Sequence, residues 1–320
     1  MIGPAGRDRI LVIKHGALGD FIQALGPMAA IRAHHLDAEI TLLTTRPFAE
    51  IGQASGCFDK VWIDQRAPFW RVDKLLALRR NLRGAGFLRV YDLQTSERSS
   101  FYFHLFDRRH RPEWSAIARG CSHPHSNPDR DRLHTVDRQA EQLELAGIDH
   151  VPPPEVDFLK ADIQRFGLEP AYVLLVPGGA PHRLEKRWPE DHYRALAAAI
   201  DEAGLQPVLV GGAAERATLR HIAAAAPGTA DLCGETSLSE IAELARQAYA
   251  AVGNDTGPMH LIAATGCRSV VLFSAASDPA LCAPRGPKVS ILREPVISDI
   301  AVTTVAVELA LPTARPVGAC

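Results

Sequence analysis

The sequence run GNDTGPMHLIAATG, residues 253–266, places small and polar groups where a helix begins. A strand-like segment, AYAAV at 248–252, precedes it, and Gly257 and Pro258 stand at the predicted helix start. A strand, a tight turn and a helix in this order point backbone N–H groups and the positive end of the helix dipole at one spot. The run therefore predicts a site for a phosphate-bearing ligand.

Three side chains surround this predicted anion site. Asp255 and Thr256 would flank it, and His260 would lie on the first helical turn facing the same side. The alternative is that Asp255 or Thr256 only caps the helix. Capping alone does not require the Gly-Pro pair and the histidine as well, so we favour ligand binding.

A glycine loop near the N-terminus, HGALGD at 15–20, links a strand-like run to a helix predicted to begin near Phe21. Gly16 and Gly19 permit a close turn and are included in our prediction as donor-loop residues. Asp20 would stand at the N-terminus of that helix. It is either an N-cap or a general base that accepts the proton of an incoming hydroxyl.

A second glycine loop, PGGAPHRLEKRWP at 177–189, follows another apolar run. Gly178 and Gly179 allow the backbone to approach a ligand, while Lys186 and Arg187 supply cations for phosphate groups. The alternative is a solvated surface pair, because exposed lysines and arginines are common.

A third loop, GGAAER at 211–216, contains Glu215, which could accept hydrogen bonds from ribose hydroxyls. Its alternative is a first-turn acid favoured by the helix dipole. These glycine loops match neither a Walker A sequence nor a complete GxGxxG. The sequence therefore disfavours nucleotide hydrolysis and a nicotinamide cofactor. A nucleoside diphosphate that carries another group fits better.

Short apolar runs rich in β-branched residues alternate with helix-length segments, which predicts an α/β fold. The strand candidates of the first half are ILVIK (10–14), EITLLTT (39–45), KVWID (60–64) and LRVYDLQ (88–94). Those of the second half are YVLLVPGG (172–179), PVLVGG (207–212), ADLCG (230–234), YAAVG (249–253) and SVVLFSA (269–275). The Pro-rich segment 151–157 is predicted to link two doubly wound domains, residues 1–155 and 156–320, that face each other across a cleft.

Composition narrows the class of protein. The chain has 320 residues, 47% hydrophobic and 22% charged, and a formal net charge of −2, which disfavours a nucleic-acid binder. Six scattered cysteines with no metal-ligand spacing disfavour a zinc site or a disulfide framework, so we expect a reducing cytoplasm and no metal. The apolar run near the N-terminus is short for a signal peptide, and we expect no membrane span.

Basic residues are concentrated in the first half of the chain. Seven cations stand against one acid between Arg66 and Arg89, and a second Arg/His-rich stretch runs from Arg108 to Arg138. Such stretches suit an anionic acceptor, although a solvated helix face would look the same.

The segments KHGALGD, PGGAPHRLEKRWP and GNDTGPMHLIAATG, in this order, resemble the motifs of glycosyltransferase family nine, the ADP-heptose:lipopolysaccharide heptosyltransferases and their relatives. The resemblance extends from Ile10 to about Phe273. It implies a GT-B fold, a Rossmann-like N-terminal domain that binds the acceptor and a Rossmann-like C-terminal domain that binds the nucleotide sugar. It also implies that no metal or other cofactor is required.

The resemblance also assigns roles to residues. Asp20 matches the family's proposed catalytic base, and Lys186 matches its phosphate-binding lysine, which helps the nucleoside diphosphate to leave. Glu215 looks like a ribose-binding acid, and Thr236 and Leu238 fall where the family contacts adenine. The remaining residues of the implied nucleotide-sugar site are Gly178, Gly179, Arg187, Asp255, Thr256, Gly257, Pro258 and His260.

The resemblance therefore implies an inverting, metal-independent glycosyltransferase, with heptose transfer from ADP-heptose to a lipopolysaccharide core or related glycan as the most specific expectation. A lipid-linked anionic acceptor would place the enzyme in the cytoplasm, peripherally at the inner face of the inner membrane. Two alternatives stay open: a nucleotide-sugar-binding protein without catalysis, and a sugar-nucleotide epimerase on the same fold.

Overall fold

The apolar runs of the sequence form two parallel sheets in the computed structural model, which describes residues 6–180 and 182–312. Pro181, in the second glycine loop, and Cys320 lie outside the described residues. The chain divides into two units, Met1–Glu155 and Val156–Cys320, and the division falls in the Pro-rich segment. Each unit contains one six-stranded sheet.

The sheet of the first unit has the order β3-β2-β1-β4-β5-β6, and every neighbouring pair is parallel. Its strands are β1 (Arg9–Ile13), β2 (Glu39–Thr44), β3 (Lys60–Ile63), β4 (Arg89–Asp92), β5 (Glu113–Ala116) and β6 (His123–Pro124). Its α-helices are α1 (Leu18–Gln23), α2 (Leu25–His34), α3 (Ala49–Ala54), α4 (Val72–Gly84), α5 (Glu97–Phe103) and α6 (Thr135–Glu144). The direction of winding reverses between β1 and β4.

The sheet of the second unit has the order β12-β11-β10-β7-β8-β9 and is also parallel throughout. Its strands are β7 (Tyr172–Val176), β8 (Gln206–Leu209), β9 (Ala230–Asp231), β10 (Ala250–Asn254), β11 (Ser269–Phe273) and β12 (Val289–Arg293). Its α-helices are α7 (Glu190–Glu202), α8 (Arg216–Ala223), α9 (Leu238–Gln247), α10 (Gly257–Ala264), α11 (Pro279–Cys282) and α12 (Val302–Glu308). The winding reverses between β7 and β10.

The predicted α/β class with two doubly wound sheets is confirmed, and each of the nine predicted runs overlaps a strand. The central strands are apolar along their whole length because both faces are covered: all five residues of β7 and of β11 are buried. The prediction omitted β5, β6 and β12, which lie towards the sheet edges. Their residues are more polar, and β6 has only two of them, so a search for apolar runs does not find them.

Helix positions agree less closely with the prediction. Helix α1 begins at Leu18, three residues before the predicted start at Phe21. Strand β10 continues to Asn254, so only Asp255 and Thr256 separate it from α10. Within the described residues, no helix has the length and apolar character needed to cross a membrane.

Candidate functional site

The second unit gathers its glycine loops at the carboxyl ends of β7, β8 and β10. Ligands of open α/β sheets bind at this edge, where the winding reverses. The loop 177–189 follows β7, the loop 211–216 follows β8, and Asp255 and Thr256 follow β10. The parallel pairing of β7 with β8 and β10 brings these loops together.

Lys186 and Asp255 form an ion pair at this edge. The Lys186 Nζ lies 2.7 Å from the Asp255 Oδ2, although 69 residues separate them in the chain. The two side chains are only 20% and 8% exposed, so Lys186 is not a solvated surface cation. Ser277 Oγ donates to the same Oδ2 over 2.8 Å. The carboxylate of Asp255 therefore holds the lysine ammonium rather than capping the helix.

The start of α10 leaves a helix N-terminus beside this ion pair. Thr256 occupies the N-cap position with extended backbone, yet its side chain makes no capping hydrogen bond. Its Oγ1 is buried without a hydrogen-bond partner among the described residues. Gly257 and Pro258 open the helix as predicted, and His260, 8% exposed, lies in its first turn. Capping alone does not account for this segment.

Asn254, which the sequence analysis missed, ties the loop after β7 to the end of β10. Its buried Nδ2 donates to the carbonyls of Pro177 and Gly178 over 2.8 and 3.1 Å. Its Oδ1 accepts from the Trp188 N–H over 3.0 Å. Both ends of the glycine loop are thereby fixed by one side chain. A polar residue at the end of an otherwise apolar strand is the signal that could have identified it.

Glu215 joins the second and third glycine loops. Its Oε1 accepts from the Gly179 N–H over 2.9 Å, and its Oε2 accepts from the Gly212 N–H over 2.8 Å. A Cβ at Gly178 would stand 1.9 Å from the Glu215 Oε1, which explains the glycine there. The side chain lies in a 3-10 turn, Ala213–Glu215, before α8, as the helix-terminus alternative expected. Any ribose hydroxyl would share this carboxylate with two backbone N–H groups.

Three other predicted nucleotide-sugar residues lie in the loop after β7 and in the segment after β9. The Arg187 guanidinium donates to the Gly179 carbonyl. Thr236 lies in the loop after β9, and Leu238 is the first residue of α9, where Ser237 and Glu240 form a capping box. Both residues are partly exposed, as adenine contact requires.

Asp20 of the first unit lies in helix α1, as its third residue. The N-cap position is taken by Ala17, with no side-chain capping bond, so the N-cap alternative for Asp20 is wrong. The prediction that Gly19 belongs to the turn is also wrong, since the earlier helix start places it inside α1, where it is buried. Gly16 does form the turn, with a φ of +106°, and an added Cβ would lie 2.0 Å from Phe48.

The exposed Asp20 borders a pocket where the winding of the first sheet reverses. Lys14, Arg130 and Arg138 line the same pocket, with Thr95 and Gln142 among its other walls. The buried Lys14 Nζ donates to the Leu93 carbonyl over 3.2 Å. Burial lowers the pKa of Lys14, while the negative charge of Asp20 acts in the opposite direction. The pocket therefore brings three basic side chains together with the carboxylate of Asp20.

Asp92 is a second acid at this edge, at the end of β4, and its side chain is fully buried. Burial raises its pKa to about 6. Hydrogen bonds from the backbone N–H groups of Gln94 and Thr95 to its Oδ1, both 3.1 Å, favour the ionised form and oppose this rise. Asp92 is therefore a structural acid that shapes the loop beside Asp20, and the sequence analysis did not select it.

Comparisons with known proteins identify the family of the chain. The model of glycosyltransferase family 9 (heptosyltransferase) matches residues 75–301. Lipopolysaccharide heptosyltransferase 2 of Escherichia coli K12 is 34% identical over 120 residues, which is 36% of this chain. The match spans about a third (34%) of that relative's length.

Solved structures cover more of the chain at lower identity. A glycosyl transferase family 9 protein from Veillonella parvula covers 96% of this chain and 99% of its own, with a TM-score of 0.81 and 19% identity. The E. coli heptosyltransferase WaaC, solved with ADP, covers 94% of this chain and 99% of its own, with a TM-score of 0.74 and 20% identity.

These likenesses confirm the predicted GT-B fold. Among the described residues, no group of three or more His, Cys, Asp or Glu side chains is arranged to hold a metal ion. The family model spans well over half of the 320 residues. The chain belongs to glycosyltransferase family 9, the heptosyltransferase family.

Proposed function

We propose that this protein is an inverting, metal-independent glycosyltransferase that transfers heptose from ADP-heptose to a lipopolysaccharide core or a related anionic glycan. Family membership supports glycosyl transfer. The name of the E. coli relative supports a lipopolysaccharide acceptor, and WaaC solved with ADP supports the adenine nucleotide. The observation that carries the proposal is the partly buried pair of Lys186 and Asp255 beside the N-terminus of α10.

On the donor side, the Lys186 ammonium of this pair would stabilise the negative charge that the leaving group gains. The Lys186 ammonium is held 2.7 Å from Asp255, so its position is fixed before the substrate binds. A diphosphate at this edge would receive the Lys186 charge and a hydrogen bond from the Gly257 N–H, since Pro258 has no N–H and the Met259 N–H bonds to the Thr256 carbonyl. In this proposal Gly179 and Gly257 let the backbone come close to the phosphates and the sugar, while Gly178 makes room for the Glu215 carboxylate.

Further donor contacts follow from the loops described above. We assign the ribose to Glu215, the adenine to Thr236 and Leu238, and the phosphates and sugar to Arg187, Thr256, Pro258 and His260, in addition to Asp255. The buried Oγ1 of Thr256 supports its assignment, because a polar atom without a partner is stabilised when a ligand supplies one.

On the acceptor side, Asp20 acts as general base. The acceptor oxygen attacks the anomeric carbon from the face opposite the diphosphate, the carbon–oxygen bond to ADP breaks, and the hydroxyl proton passes to the Asp20 carboxylate. Attack from the opposite face inverts the anomeric configuration. Lys14, Arg130 and Arg138, which line the pocket with Asp20, would attract phosphates or carboxylates of the acceptor.

Nucleotide binding by isothermal titration calorimetry tests the donor site. A panel of ADP, GDP, UDP and ADP-heptose is titrated into the wild type in the presence of EDTA. We expect selective binding of ADP and ADP-heptose, and binding about tenfold to a hundredfold weaker in Lys186→Ala because a charge-assisted contact is lost. Lys160→Ala, an exposed lysine of the same unit, is the control. Preference for GDP or UDP would change the donor assignment, and no binding would contradict the transferase proposal.

Product analysis separates the proposed function from its alternatives. A transferase converts ADP-heptose to ADP and a new glycoside only when acceptor is present. An epimerase would change the sugar nucleotide without acceptor, and a binding protein would leave both substrates unchanged.

We propose a cytoplasmic enzyme in peripheral contact with the inner membrane, where its lipid-linked acceptor would lie.

A further inference from the structure

A surface of the first unit exposes large apolar side chains next to arginines. Trp70 is 79% exposed, Val72 57% and Leu76 48%. Such exposure is unusual for tryptophan, whose large ring is normally well buried. In contrast, Trp114 and Trp188 are only 0% and 2% exposed. Trp70 precedes α4, and the other two apolar residues lie on it.

Helical geometry places these residues on one flank of α4. Leu75, Leu78 and Leu82 turn towards the core and are partly or fully buried. At 3.6 residues per turn, Val72 and Leu76 are neighbours on an adjacent flank. The residues that share this flank are Arg79, Arg80 and Arg83. We call Trp70, Val72, Leu76, Arg79 and Arg80 the α4 surface.

The segment that contains the α4 surface has a net charge opposite in sign to that of the whole chain. Residues 66–83 contain six cations and one acid, while the chain carries a formal charge of −2. The acid, Asp73, is engaged by Arg71, whose Nη2 lies 2.9 Å from its Oδ2. Arg79 and Arg80 are both exposed. The α4 surface thus combines apolar side chains with a local positive field.

We propose that the α4 surface docks on an anionic lipid bilayer. Trp70, Val72 and Leu76 enter the interfacial layer, while Arg79 and Arg80 meet the head-group phosphates. Tryptophan prefers this layer because its ring is apolar and its N–H remains hydrogen-bonded. Basic residues flanking apolar ones on a helix are typical of helices that lie in the plane of a membrane surface. The proposal rests on the peripheral membrane contact included in the proposed function and names the surface that makes it, whichever sugar the enzyme transfers.

Vesicle binding tests the proposal with the full-length protein. Vesicles of phosphatidylglycerol with phosphatidylethanolamine are compared with vesicles of phosphatidylcholine alone, by co-sedimentation and by tryptophan emission. We expect binding to the anionic vesicles with a blue shift in emission. The shift should disappear in Trp70→Phe, because Trp114 and Trp188 are already buried and the partly buried Trp62 packs against the core of the first unit. High salt should weaken the binding, since salt screens the arginine charges.

Paired variants distinguish vesicle binding by the α4 surface from nonspecific vesicle binding by other exposed residues. Arg79→Gln with Arg80→Gln should weaken vesicle binding about tenfold or more, because each arginine near an anionic surface contributes roughly a fivefold factor. Trp70→Ser with Leu76→Ser should weaken it comparably. The charge control, Arg268→Gln with Lys288→Gln, removes two exposed cations of the second unit. The apolar control, Val307→Ser, removes a 78% exposed valine. Both controls should bind as the wild type does.

Several outcomes would overturn the inference. These are equal binding to both kinds of vesicle, absence of the emission shift, and unchanged binding in both α4 variants. A dimer in analytical ultracentrifugation that Trp70→Ser abolishes would also overturn it, because the surface would then join two copies of the chain. ADP titration of the same preparations distinguishes a failure of vesicle binding from a failure of the proposed donor site, since the α4 variants should bind ADP as the wild type does.

Discussion

At the scale of single residues, Asp20 and Asp92 of the first unit show how burial determines what an acidic side chain can do. Asp20 is exposed on the first turn of α1 and lines a pocket with three cations. Asp92 is fully buried, and burial raises its pKa to about 6. An accessible carboxylate can take a proton from a substrate, whereas a buried one acts on the fold. Each therefore makes a separate prediction.

Asp20→Asn should abolish most of the transfer activity without weakening donor binding. An amide cannot accept the hydroxyl proton, and loss of a general base lowers kcat by about a hundredfold to ten-thousandfold. The ADP dissociation constant should stay unchanged, because Asp20 belongs to the first unit. Steady-state kinetics and calorimetry measure the two quantities. Glu50→Gln, an exposed first-turn acid of α3, is the matched control, and equal kcat in both variants would exclude Asp20 as base.

Asp92 should make the unfolding free energy depend on pH. Its folded-state pKa, about 6, is higher than the ordinary 3.8, so the stability from its protonated form is complete below about pH 4 and is lost as pH rises through 6. The wild type should therefore lose roughly 2 to 3 kcal/mol relative to Asp92→Asn between pH 4 and pH 7. Urea unfolding at several pH values measures this difference. A difference that does not change with pH would contradict the prediction.

At the scale of elements, the ends of strands position the chemistry. Asn254 ends β10 and holds the carbonyls of Pro177 and Gly178 as well as the Trp188 N–H. Hydrogen bonds of this kind decide whether the loop after β7 keeps its shape without ligand.

Asn254→Ala should weaken ADP binding and lower the unfolding free energy by about 2 to 4 kcal/mol, because buried backbone groups lose their partners. Calorimetry and urea unfolding measure both effects. The control is Val305→Ala, a core truncation in α12 that should destabilise the protein but leave ADP affinity unchanged. If both variants lost affinity equally, Asn254 would contribute only general stability.

Sequence patterns identify those features that local chemistry determines. Central strands such as β7 are continuous apolar runs, and the Gly-Pro start of α10 is visible in the letters, so both were predicted correctly. The pairing of Lys186 with Asp255 crosses 69 residues and depends on strand order, which periodicity does not reveal. The same is true of Glu215, whose bonds to Gly179 and Gly212 follow from the parallel pairing of β7 with β8. Helix starts such as Leu18 were missed because no capping side chain marks them.

At the scale of the whole molecule, one architecture occurs twice with different chemistry. Both sheets reverse their winding between the first and the fourth strand, and both place ionisable groups at that point. In the first unit the point holds Asp20 with Lys14, and in the second it holds Lys186 with Asp255. We propose that Asp20 removes the acceptor proton and that Lys186 stabilises the departing diphosphate. The fold itself specifies neither role, so each has to be argued from its side chains.

Chelation tests whether protein groups alone neutralise the leaving diphosphate. The proposed donor site offers the cations Lys186 and Arg187 and the N-terminus of α10, and these can stabilise the developing charge without a divalent ion. We therefore expect transfer to proceed in excess EDTA at the rate seen without it, while Lys186→Ala loses activity under both conditions. The measurement is ADP release in the presence of acceptor. If EDTA stops the wild type and added Mg²⁺ restores it, a metal ion carries the charge that we assign to Lys186, and the donor half of the proposal has to be revised.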